Sequence, residues 1–362
     1  MWRTTISCWM ILVVKPRSSG WHFGPAQLGH WLLLCLLLLL TACSEPQPIK
    51  LYGSTMGTSY SVIIPRLPES STEDSVHQGL DDVLVRVNEE MSTYLPDSEL
   101  SRINQSDGGQ WLKVSPEVFE VISLAQSISE QTQGAYDITV GPLVNLWGFG
   151  PPTPGAGGMP SAEAVKAARA LVGYHNIELN PQERTLRKKF KGLYIDLSSI
   201  AKGYGVDAAA DYLESLGISD YLVEIGGEIR AKGKSQRGDA WRIAVEKPVP
   251  GERAVQKIVN LSDIAVATSG DYRNFVEYNG IRYSHTIDPR LGGPIHHALA
   301  SVTVLSEKAV TADGWATALM VLGEDEGLKL AEEKGLAAYF LYKKGDGFES
   351  EETTAFRRLA EH

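Results

Sequence analysis

T-A-D-G-W-A-T-A-L-M (311–320) runs on into Val321 and Leu322, and the next glycine after Gly314 is Gly323. The stretch has the make-up of a buried helix, yet it holds an aspartate. On a helix Asp313 and Thr317 share one face, one turn apart. A carboxylate in an apolar helix is costly unless it is paired or binds a cation. A carboxylate and a hydroxyl on one face are hard oxygen donors, the kind Mg²⁺ prefers. Helix capping is the plainer reading of an aspartate. From this stretch alone both readings stand.

Outward from this helix the chain alternates without strict βαβ order. Apolar spacing predicts further helices over 75–91, 116–132, 162–171, 200–216 and 327–334. Gly217 suits the position just past a helix end. Strand-like alternation covers 51–64, then short runs at 177–179, 185–189, 193–196, 221–225, 228–232, 241–245, 257–261, 265–269, 301–305 and 337–342. Residues 150–160, G-P-P-T-P-G-A-G-G-M-P, read as a loop. Runs of strands with interspersed helices point to an α+β fold. The chain shows no internal repeat.

Four stretches hold residues suited to chemistry. In Y-I-D-L-S-S-I-A-K-G-Y-G-V-D (194–207) a strand ends at Asp196, Ser198 and Ser199 open a helix, and Lys202 lies in its first turns. A helix N-terminus with a lysine is a ready anion site. An ordinary cap with a solvent lysine is the alternative, and the small residues around Lys202 weigh against it. V-E-I-G-G-E-I-R (223–230) reads first as a tight turn between strands. Y-S-H-T-I-D-P-R-L-G-G-P (283–294) sets His285 in a loop with an acid and an arginine. Histidine can move a proton near neutrality, although a lone histidine is more often structural. In G-A-Y-D-I-T-V-G-P-L-V-N-L-W-G-F-G (134–150) glycines interleave with Tyr136, Trp147 and Phe149. Such walls hold planar ligands, and they also simply pack cores. Phosphate-loop, dinucleotide-fingerprint, zinc-protease, dithiol and hydrolase-elbow motifs are all absent from the sequence.

The N-terminus is of another kind. Residues 1–42 carry Arg3, Lys15 and Arg17, no acid, and the apolar run W-L-L-L-C-L-L-L-L-L (31–40). A basic segment, a short apolar run and small residues make a secretory signal. The run is too short to span a membrane, which takes about 20 residues. L-T-A-C (40–43) resembles a bacterial lipobox. That resemblance implies cleavage before Cys43 and lipidation of its thiol, with 43–50 as a lipidated tether. The remaining chain then has no other cysteine and no disulfide, although it faces an oxidising compartment. Its length is ample for a large core. Removing a segment of net +3 from a chain of −10 leaves about −13. That balance argues against a nucleic-acid surface.

Taken in order, the chain resembles the ApbE family of FAD:protein FMN transferases from about Tyr52 to Leu330. The resemblance is carried by M-G-T (56–58), M-S-T-Y (91–94), S-E-L-S-R-I-N (98–104), the 134–150 stretch, D-L-S-S-I-A-K-G-Y, I-G-G-E-I-R, T-S-G-D-Y (268–272), H-T-I-D-P-R-L-G-G-P and A-D-G-W-A-T-A-L. It implies a core of mixed sheet and packed helices, T-fold-like, over 51–350, with FAD in a cleft and 351–362 as a C-terminal tail. It implies Mg²⁺-dependent cleavage of FAD, with FMN joined by a phosphoester bond to a Ser or Thr of an acceptor protein and AMP released. By resemblance Asp313 and Thr317 supply side-chain oxygens to Mg²⁺ and Ser199 a backbone carbonyl. Lys202 lies near the phosphates and Asp196 on a polar edge of the FAD. Met56, Tyr94, Ala135, Tyr136, Asp137 and Ile287 line the cofactor, and His285 is the base. Glu228, Gly314-Trp315 and Leu291 depart mildly from the family pattern. Family acceptors are subunits of membrane redox complexes, of the Na⁺-translocating NADH:quinone reductase or Rnf type. The expected place is the bacterial inner membrane, lipid-anchored and facing the periplasm, although Ser44 is not the aspartate associated with inner-membrane retention. An FAD pyrophosphatase and a non-catalytic flavin-binding lipoprotein are the rival readings.

Overall fold

Met56 and Gly57, with φ of 49° and 72°, fold the 51–64 stretch back on itself. Two left-handed residues in succession make the tight turn whose twist suits paired strands. The result is β1 (Ile49–Thr55) against β2 (Thr58–Ile64), with Leu51, Tyr60, Val62 and Ile64 buried. The computed structural model describes residues 47–150, 159–247, 255–270, 275–278, 281–345 and 347–360. The signal segment 1–42, Cys43, residues 43–46 of the tether, residues 151–158 of the expected loop, and Asp271 and Tyr272 lie outside the described residues.

Most early helices start at a side-chain cap. Thr72 and Ser75 form a reciprocal capping box at α1 (Glu73–Met91). Ser98 caps α2 (Glu99–Gln105), a helix the apolar spacing does not announce. After β3 (Trp111–Lys113), Ser115 caps α3 (Pro116–Gln131), which has proline in its first turn. Then follow α4 (Gly141–Leu146) and α5 (Ala162–Arg169), the latter capped by Ser161. β4 (Ile177–Asn180) and β5 (Thr185–Lys188) join β3 in a three-stranded sheet, order β3-β5-β4.

Residues 193–196, expected as a strand, pair with no strand among the described residues. Instead the Asn104 side chain takes both backbone groups of Ile195, donating to its carbonyl at 2.8 Å and accepting from its N–H at 2.7 Å. One amide side chain thus does the work of a neighbouring strand, and the segment stays extended into Asp196.

α6 (Ala201–Ser215) comes next, followed by Gly217 at φ 79° as expected for a helix end. β6 (Tyr221–Ile225), β7 (Glu228–Lys232), β8 (Trp241–Glu246), β9 (Val255–Leu261) and β10 (Ile264–Gly270) follow. Two small pairs succeed them: β11 (Phe275–Tyr278) with β12 (Ile281–Ser284), and β13 (Ile287–Asp288) with β14 (Gly293–Pro294). The chain then runs through β15 (Leu299–Ser306), α7 (Ala309–Lys334), β16 (Ala337–Lys344), β17 (Gly347–Glu352) and α8 (Thr354–Ala360). α7 is broken at Gly323, whose φ of 80° and ψ of −177° are not helical, so the two helices expected there are separate in geometry.

The core is the α+β arrangement expected. An eight-stranded sheet has order β1-β2-β6-β7-β10-β15-β16-β17, every pairing antiparallel, so it is not the mixed sheet expected. Strand alternation sends Val223, Ala265, Val304 and Phe340 to the clusters containing the helices. It sends Val266, Leu305 and Leu341 to the opposite cluster, beneath the β8–β9 ribbon. Residues 351–360 are not the tail expected. They finish β17 and form α8, whose Phe356 is fully buried beside Tyr339, ring centroids 5.5 Å apart. An aromatic on a short amphipathic helix found an open end of that second cluster.

Candidate active site

Neither α6 nor α7 has a side-chain cap at its own N-cap residue, Ile200 or Lys308. Each helix takes an aspartate from the other. Asp207 of α6 accepts from Ala309 N at 3.0 Å and Val310 N at 2.9 Å, at the start of α7. Asp313 of α7 accepts through Oδ2 from Gly203 N at 2.9 Å, in the first turn of α6. The helices can come this close because residue 203 is glycine: a Cβ there would stand 2.4 Å from the Ala309 carbonyl oxygen. The aspartate in the apolar helix is therefore a cap, but of the neighbouring helix and with one oxygen only. Its other oxygen, Oδ1, has Lys202 Nζ at 3.9 Å.

A cleft of about 1000 Å³ opens beside this crossing. That is room for a dinucleotide-sized ligand. Ala135, Tyr136, Asp137, Asp196, Ser199, Lys202, His285, Ile287, Asp313 and Thr317 all line it, with exposed Tyr94 at 63 % accessibility. So five separate sequence motifs converge on one space. Met56 is the exception among the expected lining residues. Its position in the tight turn sends the side chain onto α6, where a Cβ on Gly205 would meet Met56 Cε at 2.5 Å, and it packs with the apolar cluster there.

Within the cleft the charges are coupled. Lys202 Nζ lies 2.7 Å from Glu228 Oε1 on β7, and Glu228 is buried with no hydrogen-bond partner for Oε2 among the described residues. Burial pushes the Glu228 carboxyl up to about 7, against the pull of Lys202. Burial also pushes Asp313 up, again opposed by Lys202. For Lys202 itself burial works downward, but the charges of Asp313 and Glu228 outweigh it and hold the ammonium above its usual range. Asp137 is spoken for locally. Its Oδ1 accepts from Thr139 N at 2.7 Å and its Oδ2 from Tyr174 N at 2.8 Å, so it shapes the Tyr136 wall. Ser199 Oγ donates to the Tyr136 hydroxyl at 3.0 Å, tying that wall to the start of α6. His285 lies edge-on to Phe149, ring centroids 6.3 Å apart.

The motif read first as a turn belongs to the site. Gly226 and Gly227, at φ 60° and 107°, turn β6 into β7 and line the cleft. A Cβ on Gly226 would stand 2.9 Å from Thr58 Cγ2 and 3.4 Å from Lys202 Cδ. Glu224, Glu228 and Glu246 also line the cleft, and sequence reasoning gave none of them a role there. The available signal was a charged residue at an inward position of a strand, as in Glu228. Six carboxylates, those of Asp137, Asp196, Glu224, Glu228, Glu246 and Asp313, thus line the cleft with Lys202. Such a site favours a cation. Among the described residues no group of three or more His, Cys, Asp or Glu is arranged to hold a metal ion. Asp313, Thr317 and Ser199 line the same cleft and offer a different kind of donor set, one carboxylate plus neutral oxygens. That set fits a hard divalent cation sharing its shell with a phosphate.

The sequence model of the ApbE family matches residues 56–340. The FAD:protein FMN transferase of Vibrio cholerae is 46 % identical over 331 residues, covering 91 % of this chain and 98 % of the relative. That of Haemophilus influenzae is 45 % identical over 334 residues, covering 91 % and 96 %. Among solved structures, the flavin transferase ApbE from Vibrio cholerae superposes with a TM-score of 0.80 at 45 % identity, covering 86 % of this chain and 99 % of that one. The apo form of the Pseudomonas stutzeri flavinyl transferase ApbE does so with a TM-score of 0.79 at 42 % identity, covering 87 % and 97 %. With the family's motifs gathered around one cleft and the match running through nearly the whole of the described chain, this protein belongs to the ApbE family.

Proposed function

We propose that this chain is an FAD:protein FMN transferase whose reaction takes place in the cleft beside the crossing of α6 and α7. The observation that carries the reading is the convergence of Lys202, Asp313, Thr317 and His285 on one dinucleotide-sized cleft. The acceptor hydroxyl oxygen attacks the phosphorus on the FMN side of the FAD pyrophosphate. A new P–O bond forms, the bridging P–O bond breaks, and AMP leaves with its electron pair. His285 takes the hydroxyl proton on a ring nitrogen. Lys202 stabilises the charge that grows on the phosphoryl oxygens. Tyr136 and Ile287 hold the planar ring system, and Asp137 keeps the Tyr136 segment in place.

Asp313, Thr317 and the Ser199 carbonyl would hold Mg²⁺. When bound, it would supply charge neutralisation on the pyrophosphate. The acceptors are flavoprotein subunits of membrane redox complexes, of the Na⁺-translocating NADH:quinone reductase or Rnf type. Cys43 carries the lipid that holds the enzyme at the periplasmic face of the bacterial inner membrane. The deciding test mixes the full chain with an acceptor domain, FAD and Mg²⁺ and reads the intact mass of the acceptor. The expected result is a gain of one FMN moiety, lost with EDTA and reduced at least about 10³-fold in Asp313→Ala. AMP and free FMN without acceptor labelling would instead make the enzyme an FAD pyrophosphatase.

A further inference from the structure

Two residues of the quoted motifs, Asp207 and Arg230, do not line the cleft, yet both are built into the helix crossing beside it. Asp207 is buried, at 5 % accessibility, and uses its two oxygens on the first two N–H groups of α7. Arg230 of β7 donates to Asp207 Oδ1 at 3.0 Å. The same nitrogen, Nη1, also donates to Asp211 Oδ1 at 3.0 Å, and Nη2 donates to Glu214 Oε1 at 3.0 Å. Asp207 is therefore held from the sheet while it holds the start of α7. Asp313 stands one turn further along α7 and reaches back to Gly203 of α6. A side chain fixed at both ends of this exchange cannot drift along the neighbouring helix.

We propose that Asp207, fastened by Arg230, is a positioning residue for Asp313. It sets the axial register of α7 against α6, and so the place where the Asp313 carboxylate meets a divalent cation. The inference rests on the reading of Asp313 as a cation ligand. Two features of the crossing support it. Neither helix has a side-chain cap at its own N-cap residue, and the two exchanged aspartates supply side-chain acceptors at each helix start. The contact also has no slack: a Cβ on Gly203 would stand 2.8 Å from Asp313 Cβ. In metal sites, partners that orient a ligand from behind change metal affinity by roughly 10- to 100-fold when removed.

The test is Asp207→Asn in the full chain. Asparagine keeps the shape but presents one acceptor where two N–H groups need them, and it drops the charge facing Arg230. Mg²⁺ is titrated against the protein with FAD present, read by flavin fluorescence, and separately against the melting temperature without FAD. The expected result is a Mg²⁺ midpoint about tenfold higher than in the wild-type chain in both readings. A purely structural Asp207 would lower the melting temperature and leave the midpoint in place, and that result overturns the proposal. Should Asp207→Asn fail to fold, Arg230→Gln decides, with a midpoint shift of about threefold expected and an unmoved midpoint again overturning it. If the wild-type chain itself shows no Mg²⁺ response, the cation reading of Asp313 fails and this proposal falls with it. A wild-type response with an unmoved variant overturns the positioning role alone.

Discussion

Lys188 on β5 and Lys202 on the first turn of α6 both withdraw an ammonium group from bulk water, in surroundings of opposite kind. Lys188 is fully buried and gives its hydrogen bonds to two backbone carbonyls, Asn104 O at 2.8 Å and Leu193 O at 3.2 Å. Burial pushes its pKa down, and Asp107 only partly opposes that. The side chain of Lys202 is 30 % exposed to the cleft and faces two carboxylates, which hold its pKa up. The first lysine is a clamp. It ties the end of α2 to the extended segment that carries Asp196. In the proposed reaction the second exchanges a carboxylate partner for a phosphate. Burial alone thus does not mark a functional lysine. Partners that a ligand can replace do.

The sharpest way to break this contrast is to make both lysines methionine. Lys202→Met should lower FMN transfer on the order of 10²- to 10³-fold, because the growing phosphoryl charge loses its cation. Lys188→Met should leave transfer by the folded protein within about threefold of wild type. It should instead cost about 1–3 kcal/mol of stability in urea unfolding, as two buried carbonyls lose their donor. Equal losses of transfer in the two variants would erase the distinction.

The two regions also differed in how far their residues could be read before any coordinates. The Lys202 region was readable because its chemistry leaves local marks: small residues flanking a lysine, an aspartate in an apolar run, glycines at a strand end. The strands β6 and β7 matched their expected bounds for a related reason, since alternation about Gly226-Gly227 is itself local. The Lys188 region was not. Asn104 stands in for a strand partner to Ile195 across 91 residues, and no periodicity announces such a bond. The exchange of Asp207 and Asp313 between helices is equally silent, because it depends on two helices meeting at Gly203. The end of the chain is silent as well, because nothing local to 351–360 tells that an apolar cluster lies open to Phe356.

A smaller effect should separate Glu228 from an ordinary surface acid. Its carboxyl is pushed up to about 7 by burial, from a usual value of 4.5. An acid whose folded pKa is raised favours the folded state below its unfolded pKa and loses that contribution as pH rises through the folded value. The ligand-free protein should therefore lose stability between about pH 4.5 and 7 from this group. Glu228→Gln should flatten the fall in melting temperature across that window. Glu90 on α1, also pushed up to about 7 by burial and then by Glu117, acts in the same direction. Glu90→Gln should flatten the curve too, but only Glu228→Gln should also change the FAD affinity, since only Glu228 holds Lys202. An FAD affinity unmoved in Glu228→Gln would remove the carboxylate from the site's charge balance.

The smallest effect belongs to the residue next to the clamp. Arg187 precedes Lys188 on β5, so its side chain leaves the opposite face of the strand. There it pairs with Glu178 and places its guanidinium 4.7 Å from the centre of the Trp111 ring. The pair is about one-third exposed, so solvent screens it. The ring contact and the ion pair together should be worth about 1 kcal/mol or less. Arg187→Ala should accordingly lower stability by no more than that, less at high salt, with FMN transfer unchanged. Adjacent residues of one strand would then differ in stability effect because one faces carbonyls without water and the other faces a carboxylate with it. A salt-independent loss as large as that of Lys188→Met would instead place Arg187 in the same clamp, and the distinction between the two faces of β5 would go.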